Sequence, residues 1–102
     1  MAYKVVFRRR AEQRLAELAV YIANEAGAEV AHGYLNRIYA LCQALAEMPE
    51  RGRPRDDIMP GLRTLSMERR VTIVCRVRRS QVEIVTIAYA GRDFVRELRK
   101  CK

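Results

Sequence analysis

The sequence predicts an α+β fold in which an antiparallel β-sheet packs against a helix hairpin, in the order strand, helix, helix, three strands, short helix. Three observations point there. The apolar period lies near that of an α-helix between residues 11 and 45, then falls to two beyond residue 62. One glycine, Gly27, interrupts the helical stretch, so two helices joined by so few residues must double back. Half of the 102 residues are hydrophobic, enough for one domain over residues 1–102 with a core of its own.

Each element has a local cause. Tyr3, Val5 and Phe7 alternate in a β-branched and aromatic run, the pattern of a short strand. Ala11, Leu15, Leu18 and Ile22 then recur at spacings of four, three and four and form one helical stripe. Gly27 ends that helix. The stripe restarts with Ala31, Leu35, Ile38, Cys42 and Leu45 and must stop before Pro49. Tyr34 and Tyr39 lie off this stripe and are open equally to exposure toward a partner groove or to partial packing in the core. Residues 49–57 carry two prolines, a glycine and six charges and read as a polar loop. Leu62–Met67, Arg70–Val77 and Gln81–Tyr89 follow as three strands of an antiparallel meander, and the first strand is expected in the same sheet. In the last of them Val82, Ile84 and Ala88 are expected on one face and Val85, Ile87 and Tyr89 on the other. Asp93 then caps one or two helical turns that carry Phe94, Val95 and Leu98.

Composition removes several function classes. Cys42, Cys75 and Cys101 are scattered, with no C-x-x-C pair, and point to a reduced, cytoplasmic protein. A structural zinc needs clustered ligands, whereas His32 is the single histidine. No metal or cofactor is therefore expected. A Ser-His-Asp arrangement has little to draw on, and no Gly-rich phosphate loop appears. The longest run without a charge is nine residues, Ile38 to Ala46, too short for a membrane span. Met1 runs into Arg8, Arg9 and Arg10 without an apolar segment, so a secretory signal does not fit. The net charge of +8 sits wholly in residues 51–102, with fourteen basic and six acidic side chains; residues 1–50 have six of each. Such a field attracts nucleic acid or an acidic protein.

Several short pieces stand in a telling order: Tyr21-Ile22-Ala23, Pro49-Glu50-Arg51-Gly52-Arg53-Pro54, Pro60-Gly61-Leu62-Arg63 and Tyr89-Ala90-Gly91-Arg92-Asp93. Together with the element order they resemble the ParE branch of the RelE/ParE toxins from bacterial type II toxin-antitoxin pairs, over nearly the whole chain. The resemblance implies a RelE/ParE-like fold, β-α-α-β-β-β-(α). Two departures matter. Tyr89 and Ala90 replace a common histidine and small residue, and Met67-Glu68-Arg69-Arg70 replaces a tighter turn. Tyrosine stays neutral at pH 7, so no role that needs an imidazole carries over.

The resemblance implies two mechanisms. ParE-type members arrest growth by binding DNA gyrase and stabilising its cleavage complex, without chemistry of their own. RelE-type members cleave mRNA on the ribosome. For cleavage Arg63, Arg76 and Arg92 are the candidate charge stabilisers, but after Phe94 no tyrosine or histidine follows to move a proton. Gyrase poisoning is therefore the favoured reading and RNA cleavage the alternative, with direct nucleic-acid binding by the basic half a third. Against the third, few aromatics interleave with the arginines. The toxic contacts are assigned to Arg63, Arg76, Arg92 and Phe94, with no catalytic residue. The expected partner is a ParD-like antitoxin with an acidic tail, in a hetero-oligomer that meets operator DNA only through the antitoxin. Its contacts are assigned to Tyr34, Tyr39, Arg70, Arg76 and Tyr89. Solvated strand arginines at Arg63 and Arg76, a helix-capping Asp93 and a solvated loop holding Arg51, Arg53 and Arg55 are the plain alternatives.

Overall fold

A computed structural model describes residues 3–68 and 70–89. The elements are β1 (Lys4–Phe7), α1 (Arg9–Ala26), α2 (Ala28–Ala44), β2 (Arg53–Pro54), β3 (Leu62–Met67), β4 (Val71–Arg78) and β5 (Gln81–Tyr89). They form one five-stranded sheet in the order β1-β5-β4-β3-β2, with the helix hairpin on one face. The expected C-terminal helix, and with it Arg92, Asp93, Phe94 and Cys101, lies outside the described residues.

Gly27 does two jobs in one residue. Its φ of 99° lies where a side chain would be strained, and its N–H closes α1 by donating to the Ala23 carbonyl at 2.9 Å. It is also the N-cap of α2, so the helices are joined by a single residue. Ala11, Leu15, Leu18 and Ile22 are buried along α1, as their spacing predicts. On α2 the buried set is Ala31, Tyr34, Ile38 and Cys42, while Leu35 is only half-buried. The stripe therefore steps through Tyr34 instead of Leu35, and of the two readings open for Tyr34 the structure shows core packing. A step of three from Ala31 is as good a helical neighbour as a step of four.

Two sheet details differ from the sequence reading. First, β2 to β5 pair antiparallel, but β1 joins β5 in parallel, with Val5 beside Val82 and Phe7 beside Ile84. The whole helix hairpin separates these strands in sequence, so no tight turn forces them to oppose. Second, β5 contains a bulge. Val74 faces Thr86 and Cys75 faces Ile84, which leaves Val85 without a partner on β4. The extra residue reverses the alternation. Val82 and Ile84 before it, and Ile87 and Tyr89 after it, all join the cluster under the helices, whereas Val85 packs with Leu62 and Val74 on the opposite face.

The main core lies between hairpin and sheet, where Leu15, Ile38 and Leu45 meet Ile73, Ile84 and Ile87. A smaller cluster on the other face holds Leu62 and Val74 beneath Ile58 and Met59 of the preceding loop. β4 and β5 are joined through Arg79 and Ser80, whose φ values of 46° and 65° have the signs of a type I′ hairpin turn built without glycine or asparagine.

Candidate functional site

At the tip of the hairpin the two helices and the sheet enclose a pocket of about 200 Å³. Its walls come from three places. α1 lends Tyr21 and Glu25, α2 lends Val30 and Tyr34, and the sheet lends Arg70 and Tyr89. Tyr89 reaches the pocket because the bulge at Val85 turns it toward the helices, where its ring meets Tyr21 edge-on at 5.1 Å. Tyr21 and Val30 stay about half exposed, at 48% and 51%, and Val20 beside them reaches 60%. The mouth of the pocket is thus an apolar and aromatic rim open to solvent.

Tyr34 is the residue that most needs explaining. Only 9% of it is exposed, and among the described residues its hydroxyl has no hydrogen-bond partner. Burial pushes its phenol above the usual value, and Glu68 adds to this, partly offset by Arg70 and Arg37. The Arg37 guanidinium lies 5.1 Å from the centre of the Tyr34 ring and donates to Glu68 Oε2 at 2.9 Å. Burial, with Tyr21 against it, likewise raises the Tyr89 phenol. Arg70 is exposed and, among the described residues, has no carboxylate within ion-pair distance. Among the described residues the pocket therefore offers neutral rings, one guanidinium without a carboxylate partner and one buried hydroxyl without a hydrogen-bond partner.

Of the residues assigned to the antitoxin, Tyr34, Arg70 and Tyr89 converge here. Tyr39 does not: it is 42% exposed and its ring packs 5.4 Å from that of Phe7. Arg76 also lies elsewhere, across the strand pair from Glu83. Tyr21, Glu25 and Val30 were not anticipated. Tyr21 directly precedes Ile22 of the α1 stripe, and that adjacency was the signal available for it.

Arg63 and Arg76 are engaged with the loop that leads into β3. Arg63 Nη1 donates to the carbonyls of Glu50 at 3.0 Å and Gly52 at 2.7 Å. Gly52 is needed there, since an added Cβ would stand 3.0 Å from the Thr64 carbonyl oxygen. Arg76 Nε donates to the Pro60 carbonyl at 3.1 Å. Asp56 accepts the Gly61 N–H at 2.9 Å, and Arg55 makes a two-point contact with Asp57 at 3.0 Å. The two arginines sit on opposite faces of the sheet, because Arg63 pairs with Cys75 of the helix-side row and Arg76 with Leu62 of the other. His32 is exposed on α2. Among the described residues no group of three His, Cys, Asp or Glu gathers as a metal ion requires, and no helix is long and apolar enough to cross a membrane.

Comparison with known proteins gives concordant findings. A family model described as the ParE toxin of the type II toxin-antitoxin system, parDE, matches residues 5–94. Toxin ParE3 of Caulobacter vibrioides is 45% identical over 42 residues, a match that spans 41% of this chain and 42% of that toxin, less than half of either. Among solved structures, the chromosomal ParDE toxin-antitoxin system from P. aeruginosa is similar with a TM-score of 0.76 at 23% identity, over 88% of this chain and 98% of that one. A mutant of E. coli toxin RelE in the free state is similar with a TM-score of 0.68 at 18% identity, over the full length of both. At such identities these two likenesses speak for the fold.

Proposed function

The chain belongs to the ParE toxin family of type II toxin-antitoxin systems, and on that premise we propose that it arrests bacterial growth by binding DNA gyrase and stabilising its cleavage complex, and that a ParD-like antitoxin neutralises it. The observation that carries the preference over RNA cleavage is the placement of Arg63 and Arg76. Cleavage by a 2′-hydroxyl needs charge stabilisers that converge on one phosphate and a group that transfers a proton. Here the two arginines lie on opposite faces and hold backbone carbonyls, and the phenols of buried Tyr34 and half-buried Tyr89 are shifted up, away from neutral pH. These features suit a surface that acts by contact.

In this reading Arg76, Arg92 and Phe94 meet the target, and Arg63 acts through the loop it holds. Arginine at position 92 would grip carboxylate or phosphate through its fork, which lysine cannot reproduce. The antitoxin side of the proposal rests on the charge of +8. An acidic, unstructured tail would be drawn to it and fold on contact.

The test is to induce the chain alone in a bacterial host and to add the purified protein to gyrase and to programmed ribosomes at matched salt. Accumulation of gyrase cleavage complexes is expected, reduced by Arg92→Lys and reduced further by Arg92→Ala. Cleavage of ribosome-bound message with gyrase supercoiling untouched would reject the proposal in favour of the RelE-type mechanism.

A further inference from the structure

We infer that the pocket at the hairpin tip receives a single apolar side chain of the antitoxin with an acidic residue adjacent to it in sequence, whose carboxylate meets Arg70. This deepens the antitoxin reading above and rests on it for the partner's identity. Size is the first argument. About 200 Å³ falls below the usual volume of a small-molecule site and suits one branched or aromatic side chain. The lining is the second: Tyr21, Val30 and Tyr89 supply apolar wall, while Tyr34 buries a hydroxyl that no described residue satisfies. Such a group gains a partner when a peptide carbonyl enters with the side chain.

Charge fixes the side of the pocket on which the occupant's carboxylate lies. Arg70 on the sheet side has no carboxylate partner among the described residues, whereas Glu25 lines the pocket from α1. A carboxylate is attracted on the first side and repelled on the second, so the acidic residue is placed toward β4. Glu68 is already paired with Arg37 at 2.9 Å, so among the described residues it does not neutralise Arg70.

Two capped dipeptides serve as probes, acetyl-leucyl-glutamate amide and acetyl-leucyl-glutamine amide, titrated into the isotopically labelled full chain and followed by NMR. Saturable shifts are expected at Tyr34, Arg70 and Tyr89, with the glutamate peptide binding about two- to fivefold more tightly, the range of an exposed ion pair. Arg70→Gln should abolish that difference, and Glu25→Gln should enlarge it. Tyr34→Phe should weaken both peptides while the spectrum away from the pocket stays unchanged. The inference is overturned by an absence of saturable shifts, by equal affinity for the two peptides, or by concentration-dependent shifts at these residues without peptide, which would assign the pocket to a second copy of the chain. Gyrase plays no part in this readout. A chain that discriminates the peptides yet leaves gyrase untouched would keep the pocket and lose the proposed target.

Discussion

Replacing Tyr34 by phenylalanine is expected to make the free protein more stable while making its pocket a poorer receptor. The hydroxyl is buried without a partner among the described residues, and a desolvated polar group in that state costs about 1–3 kcal/mol. Its removal leaves a void of one oxygen, worth only a few tenths of a kcal/mol at about 24 cal/mol per Å³. The ring, and the Arg37 guanidinium 5.1 Å from its centre, stay in place. The net gain is therefore about 1 kcal/mol, which raises the melting temperature by roughly 4 °C or more for a chain of this size. Because burial raises the Tyr34 phenol above 10.0, the wild type also loses stability as pH climbs from the unfolded value through the folded one. The advantage of the variant should accordingly widen above about pH 10. Urea denaturation at pH 7 and pH 10.5, with m unchanged, measures both effects. Destabilisation of the variant by about 1 kcal/mol at pH 7 would show that the hydroxyl is paired after all and would refute the reasoning.

Ile38→Ala should cost about 2–5 kcal/mol in chemical denaturation, since Ile38 is wholly buried, and Leu35→Ala distinctly less because Leu35 is only half-buried. Equal costs would contradict the α2 stripe described above. Joint replacement of Arg79 by asparagine and Ser80 by glycine relieves two positive φ angles and should stabilise the hairpin by about 1 kcal/mol, read as a higher denaturation midpoint. Burial pushes the thiols of Cys42 and Cys75 up to about 12 and about 11, so their contribution to stability is complete below pH 9 and falls as pH rises through that range. Alkaline unfolding that weakens in the Cys42→Ala, Cys75→Ala double variant, measured against neutral pH, is the expected result.

Much of the architecture was legible because period and punctuation agree. The α1 stripe, the glycine at the hairpin turn and the three-strand meander all follow from residue spacing, and the structure repeats them. What stayed hidden depends on partners distant in sequence. Nothing within Tyr3 to Phe7 states that β5 will run alongside in the same direction. Tyr34 and Leu35 are equally apolar neighbours, and only the opposing sheet decides which one is covered. Arg63 and Arg76 alternate like solvated strand residues, yet the loop folded over each end of β3 gives their side chains carbonyls to hold. For the site, the family resemblance gave Tyr34, Arg70 and Tyr89 as separate candidate contacts, together with Tyr39 and Arg76, which lie elsewhere. The convergence of the first three needed the register of β4 against β5.

That register makes the end of β5 tolerant of losing a residue at the bulge and intolerant of losing one beyond it. Deletion of Val85 would set Ile84 and Thr86 side by side opposite Cys75 and Val74, a regular ladder in which Ile87 and Tyr89 keep the helix side. Deletion of Ile87 would instead move Ala88 beneath the helices and pass Tyr89 to the opposite face, and the pocket would lose its sheet-side aromatic wall. Two losses of one apolar residue, two positions apart, would thus have opposite outcomes, the first closing a seam and the second slipping it.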